Sequence, residues 1–512
     1  MAKTPSTRLF LFIKSLTAAE KRYFKIFTGK KEAKSNKYVL LFDAIDAQQE
    51  FNEDALIKTV YGDEPVETRK YSELKSYLYD LVLKSLLAYD EKSSVDFRLK
   101  NSLLGVHTLF KRSHFDDCKE LLRKCKKPAQ DFEDFNALVE ILNWEKRIAY
   151  TQTDIAFLDR ELENLWEEER TYLQRLHNIS EYRNIFFKML VSIRKDASRR
   201  DKQLAELASL MDNPLLKDER SAGSYKSKVL FYRIHSIYYF SVSDLEAFYK
   251  TNKKLLELME SNRALLREDV SEYISALNNH VISCGKLKRF DEVRATLEKL
   301  IDVKPITSDD ELKIHRQYYM NKFALCISTG KFEEGLKDLK RHLAEIEKFD
   351  TRQFSKSNFY LQYFCIYFGA GDYENALNSL NEWLNLSAGI ERKDLQSFGR
   401  ILNLIIHFEL GNTILLDSLL RSTYRFLSKE NRLSEFEREV MQFIREASKP
   451  HSKKEMRQIL ETLKQYFEEL SHSPSFGVLE LFDVISWLES KISGKPFGEV
   501  VRERHRLSGS IV

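Results

Sequence analysis

Glycine and proline are scarce, 16 and 8 of 512 residues, where average usage of about 7% and 5% would supply more than twice as many. So few turn residues in so long a chain imply few turns and long elements. Strict polar/apolar alternation is also rare, which excludes extended half-buried strands, and the reading is all-α. Cysteine is sparse too. Five scattered cysteines, an odd number, suit a reducing compartment better than a disulfide framework, so a cytoplasmic location is expected. Long apolar runs are missing. LFLFI (residues 9–13) is cut off by Lys14, too short for a secretory h-region. ILNLIIHFEL (residues 401–410) carries Asn403, His407 and Glu409, well short of the ~18 apolar residues of a membrane span.

Catalytic signatures are absent as strings: no P-loop, dinucleotide fingerprint, His-Glu-x-x-His or Gly-x-Ser-x-Gly occurs. His107, His114, Cys118 and Cys125 lack the spacing of a zinc site, and both cysteines fall on one apolar helical face. The expectation is therefore no catalytic, cofactor or metal residues, and a chain that is not an enzyme. WEEER (residues 166–170) reads as a solvated charge run, and LFYRIHSIYYF (residues 230–240) as a core helix.

What is there is a repeat. GDYENALNSLNEWL (residues 371–384) combines a small residue, an aromatic and an amphipathic run. With Tyr373 as anchor, Phe332 lies 41 residues earlier and Phe290 another 42 back. Phe115 is a further equivalent, Thr413 follows 40 residues after Tyr373, and Ile155 and Leu245 are weaker anchors. Gly330, Gly371 and Gly411 let the chain turn tightly. Ala376, Gly335, Val293 and Cys118 stand three residues after their anchors, where paired helices approach closely. Leu380, Leu339, Leu297 and Leu122 continue the buried stripe at helical spacing. Each unit reads as helix, tight turn, helix. The eight prolines all fall between apolar-periodic runs, as helix punctuation.

This grammar resembles the tetratricopeptide repeat. In YLQYFCIYFGAGDYENALNSLNEWL the family's core positions map onto Tyr360, Tyr367, Gly371, Tyr373, Ala376 and Leu380. Two features depart from it: Phe364 replaces the glycine of the first helix, and the period is 40 to 42 rather than 34. A HEAT-like stack stays open as the alternative. The likeness covers roughly residues 100 to 430. It implies right-handed superhelical α-α hairpins, a tetratricopeptide-like solenoid with an extended concave face. Family peptides lie along the first helix of each repeat. Transferred here, those positions are Asn278, Ile282, Lys286, Gln317, Ser328, Asn358 and Leu361, with Ala324 and Cys365 beside them.

The ends differ from the repeat. Residues 1–95 read as a basic N-terminal helical bundle capping the solenoid. Thr17 to Glu20 form a capping box, Asn52 caps a short helix, and a long helix carries Tyr71, Leu74, Leu78, Leu81, Val82 and Leu86. Residues 1–40 hold ten basic residues against Glu20 and Glu32, a balance of +8 in a chain of net +4. Residues 96–450 are the repeat solenoid, 451–495 a C-terminal capping helical pair, and 496–512 a flexible basic tail. The expected function is a protein–protein interaction scaffold or adaptor binding a partner protein or peptide on the concave face. The alternative is a regulator whose basic bundle binds nucleic acid through Lys21, Arg22, Lys25, Lys30 and Lys31. No membrane partner is expected.

Overall fold

The computed structural model describes residues 7–29, 36–62, 67–194, 200–349, 354, 359–386, 393–429, 435–447, 449, 452–470 and 482–509. Among these are 25 α-helices and no strand. The chain divides into two compact units, residues 1–287 with 303–311, and residues 288–302 with 312–512.

In the first unit α1 (Arg8–Lys14), α2 (Ala18–Phe27), α3 (Lys37–Ala47), α4 (Glu53–Tyr61) and α5 (Thr68–Ser93) share a core. Phe24 stacks on Phe42 at 4.3 Å, and both are fully buried beside Leu78 and Val82. The Thr17–Glu20 capping box forms, and the Asn52 side chain accepts from the Ala55 N–H at 3.0 Å. Then come α6 (Val95–Phe110), α7 (Phe115–Asp131), α8 (Phe135–Thr151) and the 40-residue α9 (Ile155–Arg194). After them come α10 (Arg200–Met211), α11 (Tyr225–Ser241), α12 (Leu245–Ser261), α13 (Arg263–Glu268) and α14 (Val270–Lys286). Helices close in sequence pack side by side: α6 on α7, α7 on α8, α8 on α9, α11 on α12, and α12 on α14.

The second unit contains α15 (Phe290–Ile301), most of α16 (Ser308–Thr329), α17 (Phe332–Glu345), α18 (Phe359–Gly369) and α19 (Tyr373–Leu386). It continues with α20 (Lys393–Glu409), α21 (Thr413–Lys429), α22 (Glu435–Ala447), α23 (Lys453–Leu470), α24 (Val484–Ser493) and α25 (Phe497–Gly509). Its main core runs from Phe364 and Trp383 through Ile401, Ile405 and Val440 to Trp487.

One backbone device recurs. Ser113, Glu133, Thr153, Ser243, Lys288, Gly330, Gly371 and Gly411 all have φ between 49° and 81°, and each stands two residues before a helix start. At all of these but Lys288 the following N–H reaches back five residues, as from Lys331 to the Cys326 carbonyl and from Asp372 to the Tyr367 carbonyl, both 2.9 Å. This closes the preceding helix as a Schellman motif. A non-glycine residue costs roughly 1–2 kcal/mol in this region, so five of the turns are held against local preference by the helix packing on either side. Every anchor read from the sequence, Phe115, Ile155, Leu245, Phe290, Phe332, Tyr373 and Thr413, is the first residue of its helix. Close-approach positions behave as expected: Ala376 and Cys118 are fully buried and Val293 nearly so. A Cβ on Gly335 would lie 3.3 Å from that of Cys326.

Two expectations fail. Pro128 sits inside α7, near its end; the interruption is tolerated because the helix stops at Asp131 and turns through Glu133. Residues 497–509 are helical where a flexible tail is expected. Phe497, Val500 and Val501 recur at helical spacing, the two valines are buried, and Phe497 stacks on Phe482 at 5.8 Å.

Candidate partner-binding groove

Along α9 apolar doublets recur every seven residues: Leu165–Trp166, Tyr172–Leu173, Ile179–Ser180 and Phe186–Phe187, with only Ser180 breaking the pattern. One residue step turns the helix by about 100°, so each doublet supplies two stripes. The first members, Leu165, Tyr172, Ile179 and Phe186, are buried. The second stripe faces solvent: Trp166 is 47% exposed, Leu173 50% and Phe187 55%, joined by Val191 at 59%. Half-exposed large apolar side chains in a stripe on one helix are what a monomer avoids and an interface uses.

A second wall makes this face a groove. Lys202, Ala205, Glu206, Ser209 and Leu210 of α10 stand beside Asn184, Phe187, Lys188 and Val191 around a cavity of about 720 Å3. Asn213, Pro214 and Leu215 stand beside Arg170, Leu173, Gln174, His177, Asn178 and Glu181 around a second of about 670 Å3. Pins from α9 fix that wall. Ser192 Oγ donates to Glu206 at 3.0 Å and Tyr182 Oη to the Leu215 carbonyl at 2.6 Å. Asn178 donates to the Ser221 carbonyl at 3.0 Å and accepts from the Gly223 N–H at 3.2 Å. The stretch of α9 that lines the two cavities, Arg170 to Val191, is about 30 Å long at 1.5 Å per residue. Its rim carries both signs, Arg170, Lys188 and Lys202 against Glu181 and Glu206.

The sequence-derived partner positions fare differently. Asn278 and Ile282 are half-buried and Lys286 is exposed, all in the first unit. Gln317 is half-buried and Ser328 exposed in the second. Asn358 lies outside the described residues. Leu361 is a correction: it is 3% exposed in the main core with Cys365, so it packs and cannot meet a partner. Its helix α18 is apolar almost all round, so the position that the resemblance assigns to a peptide is at Leu361 a packing position. In the basic bundle Lys21 pairs with Asp46 at 2.7 Å and Lys25 with Asp43 at 2.8 Å. Arg22 is exposed, and Lys30 and Lys31 lie outside the described residues. Two of the five phosphate-binding candidates are thus already paired with carboxylates of α3.

Two polar clusters in the second unit hold ionisable groups. Lys322, 2.5 Å from Glu334 and 3.7 Å from Asp338, stands among Cys326, Glu334 and Asp338. Burial pushes the Cys326 thiol up to about 12, so it stays protonated and is a poor nucleophile. The second cluster is a buried chain. His315 Nε2 and His342 Nδ1 are 3.0 Å apart, His342 Nε2 meets the Tyr363 hydroxyl, and His315 Nδ1 lies 3.5 Å from Glu345. One proton arrangement satisfies every member: Tyr363 donates to His342, His342 to His315, and His315 to Glu345. The histidine chain pairs its donors and acceptors internally, whereas Asp338 Oδ2 in the first cluster is buried without a hydrogen-bond partner.

Sequence reasoning missed the groove because WEEER reads as charge, whereas its Trp166 begins the exposed stripe. The doublet period was the available signal. No protein-family model and no curated protein matches the chain.

Proposed function

We propose that the chain is a non-enzymatic interaction scaffold of tetratricopeptide-like helical hairpins, and that the α9 groove receives an amphipathic helix of a partner protein. The observation that carries this reading is the exposed apolar stripe of α9 opening onto two adjoining cavities. The form of the partner follows from backbone hydrogen bonding. The groove walls are helical and offer no strand edge, so an extended peptide would bring backbone groups with few partners. A helix satisfies its own. Five to six helical turns match the length of the groove, with apolar anchors at three- and four-residue spacing over Leu173, Phe187 and Leu210 and polar positions along the mixed rim. The N-terminal bundle, on this reading, closes one end of the repeat array. Binding of nucleic acid by that bundle is the weaker alternative, given the internal pairing of Lys21 and Lys25.

Replacing Leu173 and Phe187 together by Glu should weaken partner binding by about 100-fold or more, since buried anchors of this kind carry about 2 kcal/mol or more each. Fold stability should change little, because both side chains are half exposed. Affinity purification at equal expression is the measurement. Undiminished recovery of a stoichiometric partner by the double variant would refute the groove as its site.

A further inference from the structure

Helix α25 crosses three hairpin turns of the second unit in succession. Phe497 lies 5.6 Å from both Phe332 and Phe368, Arg502 Nη1 donates to the Gly330 carbonyl at 3.2 Å, and His505 meets the Phe290 ring edge-on at 5.0 Å. The residues read as a basic tail are thereby fixed against the turns before α15 and α17. Both turns end in helix N-termini, whose unpaired N–H groups favour negative charge.

The far end of this strap lies beside several cations. The His505 imidazole is held below its ordinary range by burial and by the positive charges of Arg294, Lys331 and Lys288. Lys288 makes no ion pair among the described residues. Lys331 has Glu334 only at 3.9 Å, and that carboxylate is engaged by Lys322 at 2.5 Å. Arg294 pairs at 2.8 Å with Asp291, which is fully exposed and therefore screened. Cations gathered on one surface raise the local concentration of an oppositely charged ligand. The first-turn carboxylates Glu292 and Glu333 are met by Arg289 and Arg502, both at 3.3 Å or less.

We propose that Lys288, Arg294, Lys331 and His505 form a docking site for an acidic segment of a partner polypeptide, separate from the α9 groove. A nucleic-acid strand fits less well. Its continuous phosphates would run alongside Asp291, Glu292, Glu333 and Glu334, whereas carboxylates spaced along a peptide can be placed among the cations and away from these acids. The Phe290 ring, 5.0 Å from that of His505, adds an apolar contact beside the charges.

The test uses the full chain and a fluorescein-labelled octaglutamate peptide, read by fluorescence anisotropy at low salt. Lys288→Glu with Lys331→Glu should weaken binding by about tenfold or more, and the neutral pair Lys288→Gln with Lys331→Gln by a smaller factor. Arg69→Glu with Lys70→Glu, at exposed cations of α5 outside the patch, should leave binding within about twofold. All three pairs lie on the surface, and circular dichroism checks their folding. Equal loss in the α5 control, or no loss in the patch variants, overturns the proposal. So does tighter binding of a twelve-nucleotide oligothymidylate that depends on Lys288 and Lys331. Because the groove variants leave this patch intact, failure here and failure of the groove are separately visible.

Discussion

Lowering the pH from 7 to 4.5 should remove about 2–3 kcal/mol of stability through one residue, His342. Its side chain is fully buried, ringed by Phe359 at 4.9 Å, Tyr319 at 4.8 Å and Phe354 at 5.7 Å. Burial first, and the neighbouring His315 second, bring it down to about 3. An unfolded histidine titrates near 6.5. The unfolded chain therefore takes up a proton that the folded chain refuses across the window from 6.5 to about 3. Stability is complete above that window and falls progressively as pH drops through it. His315, His235 and His407 are lowered too, chiefly by burial, and act in the same direction. Carboxylates also titrate near the lower limit, so the informative quantity is the difference between variants. His342→Phe keeps the ring volume but strands the Tyr363 hydroxyl and one His315 nitrogen, at a cost of about 1–3 kcal/mol at pH 7. Its further loss on going to pH 4.5 should be smaller than that of the unmodified chain by about 2 kcal/mol. Urea denaturation at the two pH values measures both, and identical pH dependence in the two proteins would show that His342 accepts its proton in the folded state.

Gly369→Ala should destabilise by about 3 kcal/mol, the upper part of the usual overpacking range, and Gly371→Ala by only about 1 kcal/mol. The two glycines are neighbours in one turn but act through different physics. A Cβ at Gly369 would lie 2.2 Å from the Phe332 ring. That ring cannot retreat, since it is 1% exposed and a Cβ on Gly498 would approach it at 2.9 Å from α25. Two glycines thus bracket one anchor aromatic. Gly371 instead has φ +81° and open space where its Cβ would be, so the cost there is backbone strain alone. Chemical denaturation of the two variants gives the comparison directly. Equal costs would mean that the Phe332 pocket yields, and that α25 is a looser strap than its contacts indicate.

The hairpin starts were legible in the sequence because turn stereochemistry is local. A residue with positive φ followed two places later by an anchor is written in a handful of adjacent residues, and Gly330, Gly371 and Gly411 announce it. The turn at Glu133 went unread for the same reason: an acidic residue gives no local sign of positive φ, and tertiary contacts hold it, the packing of α7 on α8 and the Tyr225 N–H donating to the Glu133 carboxylate at 2.9 Å. Exposure was not legible. Leu361 and Leu173 are both leucines in helical runs, yet one lies in the main core and the other on the surface, and the neighbouring helices decide which. The strap was hidden by glycine and proline. Gly494 caps α24 with φ 71° and Pro496 precedes α25, so residues that punctuate two helices read as the start of a tail.

The central claim is that the α9 groove holds a partner helix, and site-specific photo-crosslinking tests it most directly. Benzoylphenylalanine is placed at Leu173, Phe187 or Leu210 within the groove. Controls carry it at Tyr150 and Ile414, which are 80% and 93% exposed elsewhere. The account predicts that all three groove positions capture the same protein, that its linked residues recur every three or four positions along one segment, and that the controls do not capture it. Equal capture from the control positions, or linked residues alternating every second position as in an extended strand, would contradict it.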